Sequence, residues 1–156
     1  MTGPADFGEK VAVPSRFARV ARALAKPGDV LLTVKGAGVG KTNLAPAMPS
    51  AIGRQLYALR PKNNQIDQFF LFYAVQDGLR HFRDAITATT VPGIGRRDVE
   101  ELCIPFPPLH EQRRIVAELD ALQADVDALK RLQAETAAEL DALLPAILDR
   151  AFKGEL

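Results

Sequence analysis

From Glu111 to Phe152 the chain has no glycine and a single proline, and apolar residues return at alternating spacings of four and three. They are Ile115, Leu119, Leu122, Val126 and Leu129, then Leu140, Leu143 and Ile147. This alternation predicts one long helix with a coiled-coil seam. Two slots in the same register, Gln133 and Thr136, are polar, and polar seam residues cost stability while fixing register or partner. Leu132 lies close enough to let the seam shift sideways. A helix of about 42 residues is ~60 Å long at ~1.5 Å per residue, so it cannot bury its stripe alone. Pro145 is expected to kink the rod or end it early, and Gly154 suits a C-cap.

Three prolines, Pro105, Pro107 and Pro108, precede the helix and force an extended entry. They predict a boundary, with a domain over residues 1–106 and a helical segment over 107–156. Upstream the pattern is mixed. Ser15 to Lys26 reads as a helix capped by Ser15, with Phe17, Val20 and Leu24 on one face and Arg16, Arg19, Arg22 and Lys26 over the remainder. A Pro27-Gly28-Asp29 turn leads into Val30 to Val34, a β-branched run that predicts a buried strand, and Leu56 to Leu59 predicts a second. Ile66 to Phe82 is predicted helical, with Asp67 near its start and Phe69, Phe72, Tyr73, Leu79 and Phe82 on its apolar face. Thr87 to Arg97 reads as a polar loop. The fold class is therefore α+β, a mixed head followed by a long C-terminal helix.

Charge sharpens this division. The 156 residues are 47% hydrophobic and 25% charged with a net charge of +1, ordinary values for a globular protein. The net value hides a split: residues 1–106 carry 14 Lys and Arg against 9 Asp and Glu, whereas residues 107–156 carry 6 against 10. A basic head suits a polyanion and an acidic tail does not. The lone Cys103 excludes an internal disulfide and fits a reducing, cytoplasmic setting. The longest apolar run, Phe69 to Val75, is far short of the roughly 20 residues that span a bilayer, so no membrane association is expected.

Several local patterns invite chemistry. Gly36-Ala37-Gly38-Val39-Gly40-Lys41-Thr42 looks like a phosphate loop but is one residue short, and Pro46 and Pro49 forbid the helix that must follow. A tight inter-strand turn fits better, with a nucleotide-binding protein as a remote alternative. His110 to Arg114 begins like a zinc-protease helix, but Arg114 replaces the second histidine, so no metal is expected. Cys103 reads as buried filler rather than a nucleophile, and the cluster Phe69, Phe70, Phe72 and Tyr73 as core rather than a base-stacking platform. No catalytic constellation remains. Cations and amides in turns are different, because Arg, Lys and Asn presented at short reach can read base edges or hold phosphates. The candidates are Lys35, Lys41, Asn43 and Arg54, together with Thr89, Thr90, Arg96 and Arg97.

Taken in order, Gly28-Asp29-Val30-Leu31-Leu32-Thr33, Gly36, Gly40-Lys41, Leu59-Arg60-Pro61, Pro107-Pro108-Leu109-His110-Glu111-Gln112, Ile115-Val116 and the ending Ala151-Phe152-Lys153-Gly154-Glu155-Leu156 resemble the DNA-specificity subunit of type I restriction–modification systems. The Pro-Pro-Leu-x-Glu-Gln entry and the Ala-Phe-x-Gly-Glu-Leu end are the specific parts. The resemblance implies a non-catalytic subunit in which each of two target recognition domains reads half of a bipartite duplex DNA target. Conserved helices pack antiparallel between them as a spacer. It implies adenine methyltransferase subunits using S-adenosylmethionine and an endonuclease subunit using ATP and Mg as partners, with no cofactor on this chain. With one head and one helix, the chain resembles the second half of such a subunit, its recognition domain shortened at the front. Pairing with a second half, as a homodimer or with a different half, would then run through the seam residues Ile115 to Ile147. A coiled-coil scaffold that no longer recognises DNA is the alternative.

Overall fold

The run from Val30 to Thr33 is the strand around which the head is built. This computed structural model describes residues 1, 3–16, 19–36, 38–80 and 93–154, with the side chains of residues 144, 146 and 150 outside that set. Expectations at Phe17, Phe82, Thr89 and Thr90 lie outside the described residues. The strands are β1 (Leu24–Ala25), β2 (Val30–Thr33), β3 (Thr42–Leu44), β4 (Ser50–Ala51) and β5 (Leu56–Leu59). Among the described residues, the helices are α1 (Gln68–Arg80), α2 (Arg96–Glu100) and α3 (Leu109–Phe152), after a 3-10 turn at Pro4–Asp6. The α+β reading holds.

β2 lies between β3 and β5, antiparallel to both, with Val30 opposite Leu44 on one side and Leu59 on the other. Because side chains alternate along a strand, β2 serves two cores. Val30, Leu32 and Val34 pack with Leu71, Phe72, Val75 and Leu79 of α1, while Leu31 joins Met1, Ala12, Ala25, Ala45 and Leu56. All four β2 residues are buried, as a continuous apolar run demands. β1 and β4 form a separate two-stranded pair.

Local chemistry sets the element ends. Asp67 caps α1 by accepting hydrogen bonds from the backbone N–H groups of Phe69 (2.9 Å) and Phe70 (3.2 Å). The aromatic cluster is core: Phe70 and Phe72 are buried, and Phe72 meets Tyr73 edge-on at 5.3 Å between ring centres. Gly36 and Gly40 adopt φ of +89° and +83°, and the turn they frame returns the chain to β3. The phosphate-loop alternative fails here, since a strand and not a helix follows Lys41.

Two motif segments are tied together at the base of β2. The buried Asp29 carboxylate accepts both Nε–H and Nη2–H of Arg60 at 2.7 Å, and the backbone N–H of Lys26 at 2.7 Å. The Gly-Asp and Leu-Arg-Pro segments are thus joined, one supplying the acid and the other the fork that fits it.

Four expectations are corrected. The described part of residues 15–26 is not helical; exposed chain leads into β1. Arg16, Arg19 and Arg22 at three-residue spacing repel on a helix, and Val20, 81% exposed, has nothing to bury against. Arg96 and Arg97 sit on α2 rather than in a loop, because Asp98 accepts the Gly95 backbone N–H at 2.7 Å and starts a turn. Cys103 is exposed, since alternation turns Leu102 and Ile104 toward the core instead. The long helix runs through Pro145 to Phe152, the exposed proline removing one backbone donor from a helix of 44 residues. Gly154 does adopt φ of +71° beyond its end.

Two compact units result, Met1–Val116 and Ala117–Leu156. The first turns of α3 belong to the head because Gln112, fully buried, is bonded there. Its Oε1 accepts the Asp67 backbone N–H at 2.8 Å, and its Nε2 donates to the carbonyls of Gln65 (2.9 Å) and Pro107 (2.8 Å). In the second unit the seam stands open: Leu122, Leu129, Leu140 and Leu143 are each more than half exposed.

Candidate nucleic-acid interface

Among the described residues β5 is an edge strand, paired with β2 on one side. Along it lies an open groove of about 1290 Å³. Tyr57 and Leu59 of β5, Val20 and Leu24 from the segment ahead of β2, Ile52 from the approach to β5, and Val99 of α2 give it an apolar floor. Arg16, Arg22, Arg54, Arg60 and Arg96 line it, against one acidic residue, Glu100.

These arginines divide by partner. Arg60 is held by Asp29, and that hydrogen bond holds its guanidinium charge even more firmly than usual. Arg96 pairs with Glu100 at 2.8 Å on the same helix, which likewise raises its pKa, the hydrogen bond contributing first and the charge of Glu100 second. Arg16, Arg22 and Arg54 are exposed, and among the described residues no carboxylate lies within ion-pair range of them. Three uncompensated forks over an apolar floor can donate bidentately to phosphate oxygens or stack on bases. Among the described residues, the lining of the groove holds no nucleophile paired with a base.

The sequence candidates do not gather at one place. Arg54 and Arg96 meet at the groove. Arg97 is exposed beside them in sequence but bonded to Glu101 at 2.7 Å. Lys35, also exposed, forms a backbone bridge with Gly93. Lys41 and Asn43 line a smaller, polar cleft of about 420 Å³ together with Gln76 and Arg80. Asn43 departs from its expected role: it is buried, its Nδ2 donates to the Gly8 carbonyl (2.8 Å) and its Oδ1 accepts the Leu44 N–H (2.9 Å). Both ends of its amide are thus engaged with backbone. Arg16 and Arg22 were hidden by the helix reading. The signal that finds them is a row of like charges with no acid at helical spacing.

A family model described as the type I restriction modification DNA specificity domain matches residues 17–138. The chain belongs to that family. Among curated relatives, a type I restriction enzyme specificity subunit of Methanocaldococcus jannaschii designated MjaX is 30% identical over 135 residues, 86% of this chain and 31% of the relative. The type I restriction enzyme EcoDI specificity subunit of Escherichia coli is 35% identical over 100 residues, 62% of this chain and 22% of the relative. The crystal structure of the HsdS subunit from Thermoanaerobacter tengcongensis is 44% identical and superposes with a TM-score of 0.75 over 99% of this chain and 37% of that one. A chain solved for complex assembly and conformational transition of the type I R-M system, also 44% identical, gives 0.85 over 100% of this chain and 38% of that chain. The specificity-domain chain thus spans about a third or less of the curated relatives' length. Among its described residues, no helix is long and apolar enough to cross a membrane.

Proposed function

We propose that this chain is a non-catalytic, cytoplasmic recognition module of a type I restriction–modification system that reads one half of a bipartite duplex DNA target. The observation that carries the proposal is the groove of about 1290 Å³ in which Arg16, Arg22 and Arg54 face solvent over an apolar floor without acidic partners among the described residues. Arg54 and Arg96, with Lys35 and Lys41 on the turns beside β2 and β3, are assigned to DNA. So are Thr89, Thr90 and Arg97, from the sequence pattern alone. The exposed stripe of α3 is assigned to an antiparallel coiled coil with a second specificity helix. A helix of 44 residues is ~66 Å long at ~1.5 Å per residue, and major-groove faces recur every ~34 Å, so paired rods can hold two heads over separated half-sites. Adenine methyltransferase subunits would bring S-adenosylmethionine and the endonuclease subunit ATP and Mg. This chain contributes address, not chemistry.

The test is duplex binding by fluorescence anisotropy across a salt series, for the wild-type chain and for Arg16→Ala, Arg22→Ala and Arg54→Ala. A lost phosphate contact lowers affinity for all sequences and reduces the salt slope by about 1. A lost base contact costs about 1 to 3 kcal/mol and relaxes preference at one position of a randomised duplex pool. Binding that is unchanged in all three variants overturns the assignment to the groove. Binding without any sequence preference favours the scaffold reading instead. Co-purification with an adenine methyltransferase subunit encoded beside the gene checks the docking half of the proposal.

A further inference from the structure

We infer that the rod selects a companion helix with basic flanks and disfavours antiparallel pairing with a second copy of this chain. The inference rests on the coiled-coil reading of α3 given above and names the partner of that same surface. Its seam residues Leu122, Val126, Leu129, Leu140, Leu143 and Ile147 are between 43% and 63% exposed, so the rod does not bury this face by itself. What covers it is decided at the flanks, because charged residues beside a coiled-coil seam set partner choice and orientation.

The residues immediately before Leu119, Val126 and Leu140 are Glu118, Asp125 and Glu139. Those immediately after Leu122 and Leu129 are Gln123 and Lys130. One flank is therefore acidic over three of its four positions in this stretch, Leu132 being the exception. The other flank carries a single cation. Reversing a helix to pack against its own copy places like flank opposite like flank, so Asp125 and Glu139 would face carboxylates of the second chain and Lys130 would gain no acid. The rod as a whole, Ala117–Leu156, carries nine Asp and Glu against four Lys and Arg, which adds a repulsive background. A helix with the same apolar spacing and Lys or Arg on the corresponding flank turns each of these oppositions into an attraction. Parallel self-pairing would instead set Asp125 beside Lys130 of the second copy, so the sign of the salt dependence separates the arrangements.

Full-length chain carrying Asp125→Lys and Glu139→Lys serves as the basic-flanked probe. Sedimentation equilibrium is run on the wild-type chain, on the variant and on their equimolar mixture, at about 0.05 M and about 0.5 M salt. The mixed pair is expected to be about tenfold tighter than the wild-type pair at low salt, with the gap narrowing as salt screens it. The neutralised variant Asp125→Asn, Glu139→Gln should self-associate more tightly than wild type at low salt. That result supports the inference should the lysine variant misfold. Wild-type self-association as tight as the mixed pair overturns the charge selection and leaves the seam reading standing, as does wild-type self-association that salt weakens. Absence of association in every combination at tens of micromolar overturns the seam reading and this inference together.

Discussion

The head and the rod use leucine in opposite ways. Leu31 and Leu32 in β2 have no exposed surface, each closing a different core, whereas Leu122, Leu129 and Leu140 in α3 leave more than half of their surface in water. The head also pairs several of its buried polar groups internally, as at Asp29, Asn43 and Gln112. Hydrophobic burial is non-directional, so an apolar residue stabilises whichever assembly removes it from water. The head draws that stabilisation from its own chain, while these leucines of the rod leave theirs unused.

Mutations at matched leucines break or sharpen this contrast. Leu32→Ala should cost about 2 to 5 kcal/mol in urea unfolding of the head, the range for emptying a closed core site. Leu129→Ala, made where the side chain is 59% exposed, should change the stability of the dissociated chain by less than about 0.5 kcal/mol and appear only as weaker association. Equal losses at both sites in dilute protein would mean that the rod is already covered. Next in size is Gln112→Ala. It leaves the Asp67 N–H and the Gln65 and Pro107 carbonyls without their partner and should cost about 2 to 3 kcal/mol. Gln112→Glu should recover only part of this loss in the same unfolding measurement, because a carboxylate can accept from Asp67 but cannot donate to the two carbonyls.

The legible parts of the molecule are those whose periodicity is long or whose boundary residues carry a mechanism. α3 repeats its pattern over many turns, α1 is announced by the Asp67 cap and its aromatic face, and β2 is a continuous apolar run after the Gly28 turn. β3 and β4 are only three and two residues long, too short for alternation to register, and they exist because β2 and β1 offer them a partner. The groove was harder still. Its walls come from Arg16, from Val20 to Leu24, from the stretches on either side of Gln55 and from Arg96, Val99 and Glu100, which no local pattern joins. An amide beside a turn, as at Asn43, can bond backbone as readily as it can bond a base, so position alone does not tell the two apart. The four-residue proximity of Arg96 to Glu100 and of Arg97 to Glu101 is itself a helix signal, and it outweighs the loop-like composition that precedes it.

Polar atoms inside the head give a smaller, opposite effect. Thr33 is fully buried and its Oγ1 has no hydrogen-bond partner among the described residues. Thr33→Val removes that unsatisfied oxygen at nearly constant shape and should raise stability by about 1 kcal/mol in urea unfolding. A loss of stability would show that the hydroxyl has a partner after all.

The smallest effect expected is electrostatic and lies at the start of α3, where head and rod share one helix. Arg114 donates to both carboxylate oxygens of Glu111, at 2.9 and 2.6 Å, and this hydrogen bonding holds the Glu111 carboxyl below its ordinary value of 4.5, with the Arg114 charge acting in the same direction. A carboxyl lowered on folding adds stability that is fully present above its ordinary value and is lost as pH falls through that value and below. Glu111 also sits in the first helical turn, where the helix dipole favours its negative charge. Glu111→Gln should therefore be slightly less stable than wild type at neutral pH and converge with it as the pH falls below the ordinary carboxyl range, followed by thermal melting. Because the pair is exposed, the gap should also shrink at high salt. A gap that persists unchanged at low pH would assign the effect to packing of the side chain at the head surface rather than to its charge.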